Sequence, residues 1–357
     1  MKVVTIIGAR PQFIKTAAVS RALFEVKENI TEVIVHTGQH YDKNMSDIFF
    51  SELDIPMPNY NLGVGGGSHG VNTGRMLGKL ESLLIEEAPD LVLVYGDTDS
   101  TLAGALAASK LHIPIAHVEA GLRSFNRKMP EEINRVLTDH LSNILFAPTS
   151  VAIQNLYKEG ISAENCYQVG DVMYDATIYY QKRHKKPLWF NGLKLEDHPF
   201  VLCTVHRAEN TDDVKRLRGI FSGLARCGKP VIMPLHPRTR KKIYESRVAV
   251  PDNIFIREPV GYLEMSWLES RCSLVVTDSG GVQKEAYFHG KPCVTLRDET
   301  EWMELVDNGW NVLVGADPDL IVKEISSFSP AKENSELYGN GRASNKIVEL
   351  LLCMKKS

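Results

Sequence analysis

The chain has 357 residues, enough for two domains of ordinary size, and its 43% hydrophobic and 24% charged make-up is that of a globular protein. A formal net charge of −3 without a dense Lys/Arg block argues against nucleic acid or an anionic membrane as partner. No run approaches the about 20 apolar residues of a membrane-crossing helix, and the N-terminal run Val3–Ile7, broken by Thr5, is too short for a signal-peptide core, so the cytoplasm is the expected location.

Short apolar runs alternate with amphipathic stretches from the N-terminus onward. Strands are predicted at 3–7, 32–36, 91–95, 115–118, 144–147 and 167–169, with helical patterns at 13–27, 72–87, 100–111, 131–142 and 151–159 between them. Strand, helix, strand in this rhythm implies a parallel sheet covered by helices on both faces. Residues 182–198 are polar, with Pro187 and Gly192, and read as a surface connection. A second series follows, with strands at 200–204, 231–235, 254–256, 274–277, 293–296 and 311–314 and helices at 214–224, 262–270, 283–288, 317–326 and 343–354. The expected fold is α/β, two doubly wound Rossmann-like domains facing a cleft. The expected bounds are 1–170, 171–342 and a closing helix in 343–357. Ligands of such sheets lie outside the carboxyl ends of the strands, so informative residues should follow strands. Six cysteines (Cys166, Cys203, Cys227, Cys272, Cys293, Cys353) lack paired spacing, and most sit in apolar runs and read as core residues, with neither disulfide framework nor zinc motif.

Gly8-Ala9-Arg10-Pro11-Gln12 follows the first strand. Gly8 permits a tight turn and Pro11 suits a helix start, so Arg10 stands where a helix N-terminus and a guanidinium can share an anion; its bland role is to cap the sheet edge. Gln12 and Lys15, on the same helix, join Arg10 as substrate-binding candidates. Tyr95-Gly96-Asp97-Thr98 follows the strand 91–95, where Asp97 is either a helix cap or a functional acid. Glu119, in His117-Val118-Glu119-Ala120-Gly121-Leu122-Arg123, leaves a buried strand, a costly place for an unpaired carboxylate; Arg123 is its candidate partner and a substrate-binding candidate. Glu131 opens a helix after Pro130. Asp97, Glu119 and Glu131 thus put three carboxylates on neighbouring loops, suited to acid/base work in which crowding raises one pKa.

The second half offers His206 and Arg207 after the strand 200–204, and His236 after the strand 231–235. Both regions are suited to a diphosphate. Thr277-Asp278-Ser279-Gly280-Gly281-Val282-Gln283-Lys284-Glu285 carries a strand end, two glycines and a helix start. Ser279, Gly280 and Gly281 make a nest of N–H groups for phosphate, with Glu285 one turn on for ribose hydroxyls. Gly65-Gly66-Gly67-Ser68-His69-Gly70 matches a dinucleotide spacing, yet it follows Pro58-Asn59-Tyr60-Asn61 instead of a buried strand. It reads as a mobile loop.

With these motifs in order, and with Gly38-Gln39-His40, Pro130-Glu131-Glu132 and Tyr338-Gly339-Asn340-Gly341 beside them, the chain resembles the non-hydrolysing UDP-N-acetylglucosamine 2-epimerases nearly end to end. The resemblance implies the two-domain fold of the GT-B glycosyltransferases, a homodimer, a UDP-sugar ligand, no redox cofactor or catalytic metal, and a C-terminal helix returning to the first domain. It implies elimination of UDP across C1–C2 to a 2-acetamido glycal, then re-addition with a proton on the opposite face. Asp97, Glu119 and Glu131 take the carboxylate roles, His206 faces acid chemistry or phosphate, and Ser279, Gly280 and Glu285 hold UDP. Where the commoner branch usually reads Gly-Thr-Arg-Pro-Glu and Gly-His-Arg-Arg-Glu, this chain has Gln12 and Val205-His206-Arg207-Ala208-Glu209. There, and in the loop before Pro130, it resembles the branch acting on UDP-2,3-diacetamido-2,3-dideoxy-glucuronic acid for surface polysaccharide. The missing charge at Gln12 would suit a uronate carboxylate, with Arg10, Arg127 or Arg207 to pair it. Rival readings are a UDP-N-acetylglucosamine 2-epimerase, a hydrolysing epimerase, a GT-B glycosyltransferase and a silent UDP-sugar sensor.

Overall fold

The structure, a computed structural model, describes residues 1–39, 53–196, 198–330 and 336–354; the Arg10 side chain and His40 lie outside the described set. The chain forms two compact units, Met1–Ile178 with Glu336–Ser357, and Tyr179–Ser335. The division falls inside the helix Val172–Gln181, beyond the expected bound at 170, and residues 336–342 go with the first unit.

The first unit is built on seven parallel strands: β1 (Lys2–Ile7), β2 (Thr31–His36), β3 (Tyr60–Asn61), β4 (Leu91–Tyr95), β5 (Ile115–Val118), β6 (Ile144–Ala147) and β7 (Cys166–Gln168). Their order is β3-β2-β1-β4-β5-β6-β7, so the winding reverses between β1 and β4. The central runs are almost wholly apolar, with Thr5 and His117 as exceptions, because helices cover both faces and leave no polar face to alternate. On one face Val4, Ile6, Val92 and Val94 pack with Met76, Leu80 and Leu84 of the helix His69–Glu87. Thr98 starts the helix Asp99–Lys110 by accepting from Thr101 N. The returning helix Ala343–Met354 packs on the helix Arg10–Glu25. Its start is held by Asp175, whose carboxylate accepts from Ala343 N at 3.1 Å and Ser344 N at 2.7 Å. Just before it, Tyr338 O accepts from Asp171 N at 3.0 Å.

The second unit repeats the plan with β8 (Val201–Thr204), β9 (Val231–Pro234), β10 (Ile254–Arg257), β11 (Leu274–Thr277), β12 (Cys293–Thr295) and β13 (Asn311–Leu313). The order β10-β9-β8-β11-β12-β13, all parallel, reverses between β8 and β11. The segment 182–198 is a correction to the sequence reading. Its polar ends flank a 3-10 turn, Leu188–Leu193, whose Phe190 is buried against Phe200 and meets the Trp267 ring edge-on at 4.8 Å. Leu188, Trp189, Phe190, Leu193 and Leu195, scattered inside a charged stretch, do not show periodicity, so the segment's contribution to the core was hidden.

Candidate active site

Each unit presents the loops after the two strands that flank its winding reversal, the position where open α/β sheets take ligands. In the first unit these are the loops after β1 and β4. Gly8 is required there: a Cβ would fall on the hydroxyls of Thr37 and Ser100, which themselves hydrogen-bond at 2.8 Å. The backbone of Arg10 then opens the helix, with Pro11 in its first turn.

Two of the three carboxylates expected to crowd one another, Glu119 and Asp97, are instead each matched to a cation. Glu119, 8% exposed, is ion-paired with Lys15 Nζ. A Cβ on Gly96 would lie 3.3 Å from both partners, so this pair rests over the turn that leads to Asp97. Asp97 is ion-paired with Arg135, while its carbonyl accepts from Asn134 Nδ2 at 3.0 Å. Glu131 is exposed one helical turn before Arg135, the spacing that puts two side chains on one helix face. Glu119 itself has φ of 73°, a left-handed backbone that costs a non-glycine residue about 1–3 kcal/mol and is found at functional sites.

Two sequence assignments are corrected. Arg123 is not the partner of Glu119. Its guanidinium is buried and engaged by Asp139 at 2.7 Å, Glu159 at 2.7 Å and Leu122 O at 2.6 Å, which turns it inward on the protein's own groups. Burial would lower its pKa, but the two carboxylates push it above the ordinary arginine value. Gln12 is 1% exposed and fully used: Oε1 accepts from Gly8 N at 2.8 Å and Ala9 N at 2.9 Å, while Nε2 donates to Tyr95 O at 2.8 Å and Thr101 Oγ1 at 2.9 Å. It ties the β1 loop to the β4 loop and does not face substrate, so the charge argument drawn from it falls.

In the second unit the corresponding loops meet at Asp278. This fully buried carboxylate accepts from His206 N at 3.1 Å, Arg207 N at 3.0 Å and Asn210 Nδ2 at 3.1 Å, and ion-pairs with His206 Nδ1 at 3.2 Å. Burial pushes its pKa up, yet the His206 contact and the donors from Asn210 and Arg207 hold it below the usual carboxylate range. The other His206 ring edge stays open, its side chain being 46% exposed. His236 caps its own helix, Nδ1 accepting from Arg238 N at 3.2 Å; burial, then the charges of His206 and Arg238, lower its pKa.

Ser279 caps the helix Gly280–Phe288, which opens with the Gly280 and Gly281 amides. A side chain at Gly280 would strike the carboxylate of Glu301. Glu301 is a neighbour that sequence reading passed over. It ion-pairs with the buried Arg297 at 2.7 Å, and although burial pushes its carboxyl up, Arg297 and Arg207 hold it low. Its signal was the charged loop that directly follows β12. Glu285 is buried on the same helix, and behind it Glu269 is pushed well above the carboxylate range by burial and then by the charge of Glu285.

Two Rossmann-like units, with cation-matched carboxylates at one winding reversal and an anion-suited helix start at the other, define a class of two-unit α/β proteins suited to a phosphate-bearing ligand. A family model described as UDP-N-acetylglucosamine 2-epimerase matches residues 23–352. The UDP-2,3-diacetamido-2,3-dideoxy-D-glucuronate 2-epimerase of Pseudomonas aeruginosa is 56% identical over 98% of this chain and 99% of its own length. The solved UDP-GlcNAc 2-epimerase of Methanocaldococcus jannaschii, in complex with UDP-GlcNAc and UDP, is 46% identical with a TM-score of 0.88 over 98% of this chain and 99% of its own. That of Neisseria meningitidis, bound to UDP-GlcNAc, is 34% identical with a TM-score of 0.86 over 99% and 100%. The chain belongs to the UDP-N-acetylglucosamine 2-epimerase family and is a UDP-sugar 2-epimerase, an isomerase acting on carbohydrate.

Proposed function

We propose that the enzyme inverts C2 of UDP-2,3-diacetamido-2,3-dideoxy-glucuronate to give the mannuronate epimer, by losing and recapturing UDP. The observation that carries the mechanism is the division of chemistry between the two winding reversals. Asp97 and Glu119 stand at the first with their cations, and Asp278 holds His206 and Arg207 beside the Ser279–Gly281 helix start at the second. A base among Asp97, Glu119 and Glu131 takes the C2 proton as the C1–O bond breaks. The electron pair becomes the C1–C2 double bond of the glycal, and UDP leaves as the diphosphate anion. Re-addition reverses these changes, with an acid delivering a proton to the other face of C2. His206, Arg207, Ser279, Gly280 and Gly281 hold the diphosphate, and Glu285 takes the ribose.

The substrate assignment rests on the 56% identity to the Pseudomonas aeruginosa enzyme and on the motif set, no longer on Gln12. A uronate carboxylate calls for a cation, and Arg127 is exposed on a loop whose backbone is fixed: the buried Glu132 accepts from Ser124 N at 2.9 Å and Phe125 N at 3.0 Å. The epimerase works as a cytoplasmic homodimer in surface polysaccharide synthesis. Among the described residues no helix is long and apolar enough to cross a membrane. The test is NMR of each UDP-sugar with the enzyme in D2O: deuterium enters C2 without any acceptor, and kcat/KM favours the diacetamido uronate. Efficient turnover of UDP-N-acetylglucosamine with little on the uronate overturns the substrate. No exchange with either sugar overturns the mechanism.

A further inference from the structure

Asp97 and Glu119 sit on separate loops, after β4 and β5, yet both loops are held by one buried side chain. Asp139, on the helix Pro130–Leu141, is 1% exposed. Its Oδ2 accepts from Gly121 N at 3.1 Å, two residues beyond Glu119. Its Oδ1 meets Nδ1 of the fully buried His117 at 2.7 Å, and His117 Nε2 reaches Gly96 O, also at 2.7 Å, one residue before Asp97. Both anchored turns are in conformations that side chains rarely adopt, with φ of 63° at Gly96, 73° at Glu119 and 82° at Gly121. Such turns relax unless surrounding bonds over-determine them. Arg123, beneath, supplies the counter-charge that makes a buried carboxylate tolerable, and passes the network on to Glu159.

Burial would push the Asp139 carboxyl up, but His117 and then Arg123 hold it below the usual range, in keeping with a carboxylate that accepts on both oxygens. Neither residue is exposed, so neither touches substrate. A carboxylate is needed because Gly121 N, His117 and Arg123 all approach as donors; an amide would turn its NH2 group toward at least one of them.

We propose that His117 and Asp139 are positioning residues that hold the Asp97 and Glu119 turns at a common spacing, so that both carboxylates serve one reacting carbon. This rests on the 2-epimerase reading. Misplacing a reacting group by about 1 Å costs on the order of 100-fold in rate, so the clamp acts on kcat and not on nucleotide affinity.

The test compares Asp139→Asn and His117→Asn with Glu159→Gln, which weakens the same buried network without touching Gly96 or Gly121. Both clamp variants are expected to lose kcat on the order of 10–100-fold, with KM and the Kd for UDP within about threefold of wild type. Backbone amides of residues 95–98 and 119–122 should exchange hydrogen faster. Glu159→Gln lowers Tm with little change in kcat. If Asp139→Asn does not fold, His117→Asn carries the same readouts. The proposal is overturned if the folded clamp variants keep kcat within twofold, or if Glu159→Gln loses as much. Wild-type enzyme that exchanges no deuterium at C2 sinks the epimerase reading instead, and amide exchange still decides the clamp.

Discussion

The two winding reversals share one topology and differ in how they hold charge. At the first, carboxylates lie beside cations: Glu119 with Lys15, Asp97 with Arg135. At the second, a buried carboxylate does not face the ligand side at all. Asp278 grips the backbone of 206–207 from behind and leaves one histidine edge, an arginine and a helix start to meet an anion. A parallel sheet supplies the same scaffold twice. What each copy can do depends on whether its acids are presented or spent on structure. An acid open to a ligand is suited to moving protons, whereas an acid turned inward builds a positive surface from the backbone it organises.

That contrast is broken most directly at the cation-paired acids of the first reversal. Glu119→Gln and Asp97→Asn are each expected to lower kcat on the order of 10²–10⁴-fold while the Kd for UDP, by titration calorimetry, stays within about threefold. Near-normal turnover in Glu119→Gln returns that residue to a structural ion pair with Lys15.

Asp278→Asn should show the opposite profile. UDP binding weakens about tenfold or more, and the fold loses about 1–3 kcal/mol, because one acceptor oxygen is replaced by an NH2 group that faces donors from His206, Arg207 or Asn210. The pH dependence has a definite sign. Asp278 has a lowered pKa in the folded protein, so its stabilisation is full above the unfolded aspartate value of about 3.9 and disappears as pH falls through the lower folded value. The stability difference between wild type and Asp278→Asn should therefore hold from pH 7 to 5 and shrink below about 4. A difference that grows on acidification would refute the assigned role.

A smaller effect is expected at Gln12. A glutamate there would aim an oxygen at Tyr95 O, an acceptor facing an acceptor, where the amide now donates. Gln12→Glu should cost about 1–3 kcal/mol in denaturant melts and leave the kcat/KM ratio between the two UDP-sugars unchanged. A change in that ratio would restore a substrate role for position 12.

Least perturbing is thiol labelling. Cys203, Cys227, Cys272 and Cys293 are buried, and burial pushes the Cys272 and Cys293 thiols up to about 12; Cys353 is exposed. Cys353 should react at once with a thiol reagent, and those four only on unfolding. Early labelling of Cys203 or Cys293 would show that the second sheet opens locally.

Strand positions were legible because a sheet covered on both faces demands mostly apolar runs, and such runs are local. Among the described residues, every strand except β3 was read from them; Tyr60–Asn61 is a two-residue edge strand with too little apolar character to register. The helix Pro237–Glu245 was missed since its exposed face is a run of Arg and Lys that reads as loop. Motifs read as following strands do so in the fold: Gly8, Asp97, Glu119 and the Ser279 helix start each come directly after a strand, where ligands of this architecture are taken. Partnerships were not legible. Lys15 and Glu119 are 104 residues apart, and the sequence offered Arg123, four residues away, as the obvious partner. Gln12 looked like a substrate contact until the packing of the β1 loop against Tyr95 and Thr101 used every polar atom of its side chain. Apolar periodicity and turn chemistry are decided by neighbours in the chain. Which charge meets which is decided by strand order, and that emerges only when distant segments pack side by side.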